Sequence, residues 1–143
     1  MIPDHLNPEA QLLHYGVKPT SVRLLVWKRI RSESEAFSLK DVSDWLPTID
    51  RSSIFRALRL FAEHHILHET DDGTGQMKYC LCRCQDGHHH GHVHFTCTQC
   101  GRTYCLEDLP IPEVPLPDGF SIHEMEYVIK GVCATCSLNS VVR

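Results

Sequence analysis

Two short motifs carry the strongest chemistry in this sequence, Cys97-Thr98-Gln99-Cys100 and Cys133-Ala134-Thr135-Cys136. A two-residue spacer lets both sulfurs of one turn reach the same tetrahedral ion. Cys97, Cys100, Cys133 and Cys136 are therefore expected to form a four-sulfur structural zinc site, one ion per chain. Four thiolates leave no open coordination position, so the expected role is folding and not catalysis. The 32 residues between the pairs exceed the usual zinc-ribbon gap of roughly 15 to 20, so the knuckles should tie distant strands together. A thioredoxin-like redox role is the competing reading; it would need a knuckle that opens a helix within a βαβ unit, and neither is expected to do so.

All eight cysteines of the 143-residue chain fall between Cys80 and Cys136, and eleven histidines accompany them. Metal or redox chemistry thus belongs to the second half. The length fits one domain or two small ones, and a unit of about 50 to 70 residues buries too little apolar surface to be comfortable without a staple. The start, Met1 to Tyr15, has neither a basic nor an apolar stretch of the kind that begins a signal peptide, and no apolar run approaches membrane-spanning length. These readings lead to the expectation of a cytoplasmic protein without a membrane partner, in which paired cysteines bind zinc; a disulfide framework is the alternative.

The net charge of −4 is unevenly spread. Residues 18 to 59 hold nine Lys/Arg against five Asp/Glu, giving +4, and residues 60 to 143 hold five against eleven, giving −6. The basic block is where a polyanion would bind. It reads as three helices. Thr20 can cap the first, with Val22, Leu25, Val26 and Ile30 as its apolar stripe. Ser38 through Asp41 make a capping-box-like start for the second, with Val42, Trp45 and Leu46 inward and Pro47 at its end. Asp50 caps the third, with Ile54, Ala57, Leu58 and Phe61 inward.

After them, Ile66 to Glu69 and Met77 to Leu81 flank a polar, glycine-containing tip and read as a β-hairpin. Three helices followed by a hairpin predict a winged helix-turn-helix; a small helical bundle is the plainer alternative. On the third helix Ser52, Arg56 and Arg59 face away from the core with Phe55 at the edge, a surface suited to phosphates, guanine edges and thymine methyls. Lys18 and Arg23 could add backbone contacts. Residues 84–92 are histidine-rich and aperiodic, like a hinge. Beyond them His94 to Thr96, Thr103 to Leu106 and Tyr127 to Lys130 are short strand candidates, and four prolines between Pro110 and Gly119 exclude a long helix there. The expected domains are 1–83, winged helix; 84–92, hinge; and 93–143, a zinc-stapled unit.

The run Gly16-Val17-Lys18-Pro19-Thr20 with Arg23, the run Ser52-Ser53-Ile54-Phe55-Arg56-Ala57-Leu58, the histidine-rich hinge directly before Cys97-x-x-Cys100, and the final CxxC together resemble the ferric uptake regulator family of bacterial metal-responsive repressors. The resemblance covers nearly the whole chain. It implies an α+β protein with an N-terminal winged-helix DNA-binding domain, a small α/β dimerisation domain with a structural zinc, a homodimer, and a sensory metal at the hinge that sets affinity for double-stranded operator DNA. Phe55 stands where the family usually has tyrosine.

The resemblance also suggests which residues form the sensory site. Alignment on Cys97 puts His92 and His94 at two hinge positions of that site. Cys80 and Cys105 stand where iron-sensing members carry glutamates, and His68 stands where the zinc-sensing branch has a ligand. Thiolates in place of carboxylates shift a site from Fe(II) and Mn(II) towards Zn(II), so the chain looks most like a zinc uptake regulator. Five candidates for four places leave one spare, His92 or Cys105 before the others. His88, His89 and His90 read as a weak metal-collecting patch or as ligands, and Cys82 and Cys84 match no ligand position. Iron or peroxide sensing, and a zinc store without DNA binding, are the alternatives. A zinc deaminase would want His-x-Glu followed by Pro-Cys-x-x-Cys, and neither is present.

Overall fold

The computed structural model describes residues 4–71, 75–81, 93–106, 109, 112–123, 125 and 127–141, with the backbone alone for 140 and 141. The chain forms two compact units, Met1–Gln85 and Asp86–Arg143. The expected hinge over 84–92, with His88, His89, His90 and His92, and the thiols of Cys82 and Cys84 lie outside the described residues.

The first unit runs α1 (Pro8–His14), α2 (Ser21–Ile30), β1 (Phe37–Ser38), α3 (Leu39–Trp45), α4 (Arg51–Glu63), β2 (Leu67–Asp71) and β3 (Met77–Leu81). The expected caps are in place: Thr20 accepts from the Arg23 amide, Ser38 and Asp41 complete a reciprocal capping box, and the Asp50 carboxylate accepts from the Ser53 amide. These side chains satisfy amides that a helix start otherwise leaves without partners. Ile54, Ala57, Leu58 and Phe61 of α4 are buried, one stripe at helical spacing, and they pack with Val26, Trp27 and Ile30 of α2, Val42 of α3 and Leu67 and Leu81 of the hairpin. The sheet order is β1-β3-β2, all antiparallel, with Phe37 opposite Tyr79. This is a winged helix.

Three sequence expectations need correction here. A fourth helix, α1, precedes the other three: Asn7 caps it, Pro8 starts it, and Gly16 at φ +78° ends it while the Val17 and Gly16 amides return to the carbonyls of Leu12 and Leu13. That is a Schellman turn, which glycine enters without steric cost. The strand β1 was also unforeseen. On α2, Leu25 is exposed and Trp27 is fully buried, because α1 packs on the flank that Trp27 occupies and the indole Nε1 donates to Gln11 Oε1 of α1 at 2.9 Å.

In the second unit β4 (Val93–Cys97) is central, antiparallel to β5 (Thr103–Leu106) and parallel to β6 (Tyr127–Gly131), and α5 (Ala134–Val141) follows. The three strands coincide with the expected ones. No strand or helix is found among the described residues of the proline-bearing stretch between β5 and β6. The second knuckle opens a helix, as the Ser137 amide donates to the Cys133 carbonyl at 2.9 Å and starts α5 on that cysteine, but α5 is the last element among the described residues and so is not the helix of a βαβ unit. Gly131 lies against the Phe95 ring, where a Cβ would stand 3.1 Å from Cζ.

The buried Trp27–Gln11 bond gives a direct test of the first unit. Gln11→Met keeps the volume but removes the acceptor, and a buried donor left without one costs about 1–3 kcal/mol. Urea denaturation followed by tryptophan fluorescence should show that loss, since both tryptophans, Trp27 and Trp45, belong to this unit.

Candidate functional site

The two knuckles converge within the second unit. Cys97 closes β4 and Cys133 follows β6 by two residues, so the parallel pairing of these strands, Cys97 opposite Gly131, brings the motifs side by side. The Thr98 amide and hydroxyl both donate to the Gly131 carbonyl, at 2.8 and 3.1 Å, and latch one turn to the other. Gly101, at φ +74°, closes the first turn. The Sγ atoms of Cys97, Cys100, Cys133 and Cys136 all lie within 4.8 Å of one another. Tetrahedral zinc–sulfur bonds of about 2.3 Å place sulfurs roughly 3.8 Å apart, and Cys100 Sγ and Cys133 Sγ are separated by 3.8 Å.

The protons of this cluster are unequally held. The amides of Cys100 and Cys133 point at Cys97 Sγ from 3.5 and 3.3 Å, and these bonds lower the Cys97 thiol to about 6. The Cys136 amide lowers Cys133 in the same way. Cys136 is pushed up to about 12, first by its bond to the Cys133 sulfur and then by burial. Four sulfurs this close cannot all carry negative charge without a cation among them. Donor type, number and spacing therefore fit one tetrahedral, thiophilic dication, and Cys97 with Cys133 offers thiolates to begin its capture.

The other thiol and imidazole candidates occur as cross-strand pairs, one in each unit. In the first, His68 of β2 stands opposite Cys80 of β3. In the second, His94 of β4 stands opposite Cys105 of β5. Directly opposed residues of an antiparallel pair project from the same face of the sheet with Cβ atoms about 4.5–5.5 Å apart. Each hairpin thus sets one imidazole and one cysteine sulfur side by side on one face of its own sheet. Cys80 and His94 are buried, positions at which a thiol and an imidazole are shielded from bulk water.

The exposed face of α4 carries Ser52, Phe55, Arg56 and Arg59, opposite its buried stripe. An open groove of about 360 Å³ runs between α4 and the start of α2, lined by Arg23, Arg56 and Arg59 together with Thr20, Ser53 and Glu63. Arg23 donates to the Lys18 carbonyl at 2.9 Å, which holds its guanidinium at the groove. Arg59 is 3.5 Å from Glu63 one turn on, a solvent-exposed pair that is readily exchanged for another anion. Sequence reasoning missed Ser53, whose hydroxyl accepts from Arg56 at 3.2 Å; the signal was its position one helical turn before that arginine.

A winged helix followed by a sheet unit with a four-sulfur cluster defines a metal-binding winged-helix protein, and comparison with known proteins narrows that class. The model of the ferric uptake regulator family matches residues 14–117. The ferric uptake regulation protein of Bacillus subtilis (strain 168) is 26% identical over 145 aligned positions, covering 94% of this chain and 93% of that protein. The fold is similar to that of a zinc uptake regulator complexed with zinc and DNA, with a TM-score of 0.65, 21% identity, and coverage of 93% of this chain and 92% of that one. It is also similar to the ferric uptake regulator of Pseudomonas aeruginosa with manganese, with a TM-score of 0.61, 16% identity, and coverage of 90% and 99%. The chain belongs to the ferric uptake regulator family and is a metal-responsive transcriptional regulator. No helix among the described residues is long and apolar enough to cross a membrane.

Two outcomes follow from this geometry. Cys97→Ser and Cys133→Ser should each lose one equivalent of EDTA-resistant metal per chain by plasma mass spectrometry; a full equivalent retained in both would sink the four-sulfur assignment. On α4, the hydroxyls of Ser52 and Ser53 and the Ser53 amide hold the Asp50 carboxyl at about 2, against an ordinary 3.8. A depressed carboxyl stabilises the fold above its unfolded value, so the Asp50 cap should act fully above about pH 4 and be lost as pH falls through about 2. Carboxyl carbon shifts of Asp50 in an NMR titration would report this directly.

Proposed function

We propose that this protein is a zinc-responsive repressor that binds double-stranded operator DNA as a homodimer and controls metal-uptake genes in the cytoplasm. The observation that carries the reading is the pair of His/Cys couples, His68 with Cys80 and His94 with Cys105. Two nitrogens and two sulfurs make a complete tetrahedral donor set of a kind that zinc accepts and that the harder ions Fe(II) and Mn(II) favour less. His92 is a fifth candidate for the same ion. The Cys97, Cys100, Cys133 and Cys136 cluster holds a separate structural zinc, which makes two ions per chain. The solved relative complexed with zinc and DNA is consistent with this assignment.

In the proposed mechanism the chain's own residues act at three places. His68 and Cys80 of the wing, with His94 and Cys105 of the second unit, would hold the sensory ion, and its binding would remove freedom of the wing that DNA binding would otherwise have to remove. The α4 helices of the two protomers then match two half-sites, with Arg56 and Phe55 at base edges and Lys18, Arg23, Ser52 and Arg59 at the backbone. Phe120, Ile122, Val114, Ile129 and Leu138 of the second unit are large apolar side chains left exposed, which supports pairing of that unit with a second copy. Thiols must be deprotonated and imidazoles neutral to bind metal, so sensing weakens as pH falls.

The test is DNA binding by chelated protein to duplexes selected by the protein from a random pool, with zinc, manganese or ferrous iron added back. Zinc should restore binding, and Cys80→Ala should lower the zinc-dependent affinity at least tenfold while keeping the structural ion. Restoration by manganese or iron but not by zinc would overturn the zinc assignment in favour of an iron- or manganese-responsive regulator. A protein that selects no duplex with any metal would be a metal store.

A further inference from the structure

We propose that Ser53, held by Asp50, is a positioning residue that sets the guanidinium of Arg56 for reading a base edge, an inference that rests on the DNA-binding reading of α4. The argument begins at the helix cap. Asp50 Oδ1 is 2.7 Å from Ser53 Oγ, and Oδ2 accepts from the Ser53 amide at 3.0 Å. The carboxyl is ionised at neutral pH, so it only accepts, and the Ser53 hydroxyl must donate to it. That fixes the polarity of the hydroxyl. Its lone pairs then face the next turn, where Arg56 Nη2 donates to them at 3.2 Å.

The consequence is an ordered arginine on an exposed helix face. A guanidinium offers five N–H groups in one plane, and a long exposed arginine ordinarily loses much rotamer freedom when it makes a bidentate contact. Anchoring Nη2 to Ser53 removes part of that loss beforehand and leaves the other edge of the plane to a partner such as guanine O6 and N7. The neighbouring serine does not share this role. Ser52 also donates to Asp50, at 2.5 Å, but it has no recorded bond to Arg56.

Ser53→Ala tests the inference while keeping the amide bond of the cap, because the backbone amide of residue 53 still donates to Asp50, and the thermal midpoint reads the loss of the hydroxyl bond separately. Zinc-loaded wild type and variants would be titrated with the selected operator and with a scrambled duplex, with the thermal midpoint recorded for each. Loss of one such hydrogen bond corresponds to about a 2- to 10-fold weakening. The expected result is that weakening for Ser53→Ala on the operator with a smaller change on the scrambled duplex, an equal change on both duplexes for Ser52→Ala, recovery in Ser53→Thr, and no added loss when Ser53→Ala is placed on Arg56→Ala. If Arg56→Ala weakens operator binding while Ser53→Ala does not, or if the two losses simply add, the positioning role is overturned. If Arg56→Ala itself binds like wild type, the reading of α4 fails and the role of Ser53 fails with it.

Discussion

Charge repulsion among four sulfurs governs the second unit. Backbone amides aimed at Cys97 favour its thiolate, while Cys136, hydrogen-bonded to the Cys133 sulfur and partly buried, keeps its proton far into the alkaline range. A cation at the centre of the cluster would let all four sulfurs ionise together. The rest of the unit is arranged around the cluster: β4 and β6 run parallel so that their ends deliver the two knuckles together, and α5 grows directly from Cys133. A three-stranded sheet with one short helix has a modest core, and two of its buried polar residues, Thr96 and Thr103, bond to each other at 3.1 Å.

The first unit depends on no metal for its packing. Its core is a layer of aromatic and aliphatic side chains between α2, α3, α4 and the hairpin, with Trp27 and Phe61 edge to face and Phe37 stacked on Tyr79. The division of labour is physical. A rigid apolar core keeps α4 in place, with its exposed face available, while the wing contributes His68 and Cys80 from a hairpin whose backbone is fixed by its own ladder.

Much of this was legible in the sequence where local signals agreed. Asp50, the stripe Ile54, Ala57, Leu58, Phe61 and the exposed arginines define α4 at its start and on both faces, and the spacing of the two CxxC motifs points to the convergence of their four sulfurs. Other elements were not recoverable in the same way. The cap Asn7-Pro8 and the stop Gly16 bracket α1, but with so few apolar residues between them the helical period is not visible. Strand β1 is two residues long and exists only because Phe37 and Ser38 pair with Tyr79 and Lys78, some forty residues away. On α2 both Leu25 and Trp27 are apolar, so hydrophobicity could not choose between them; α1 and the Gln11 acceptor do. The His68/Cys80 and His94/Cys105 couples needed a register, which pairing supplies and a list of residues does not.

The parallel pairing of β4 with β6 also bears on how the chain reaches its fold. Contacts between residues this distant in sequence form slowly, because the intervening segment must be closed into a loop before any contact offsets the lost entropy. Here the strands that must wait for each other are the ones that carry the knuckles. During synthesis the first unit is complete in sequence long before β6 emerges, so it can fold while the second still lacks two of its four sulfurs. In the proposed reading, metal capture across the knuckles is then the event that ends folding, and the availability of the ion at that moment would set the fraction of new chains that mature.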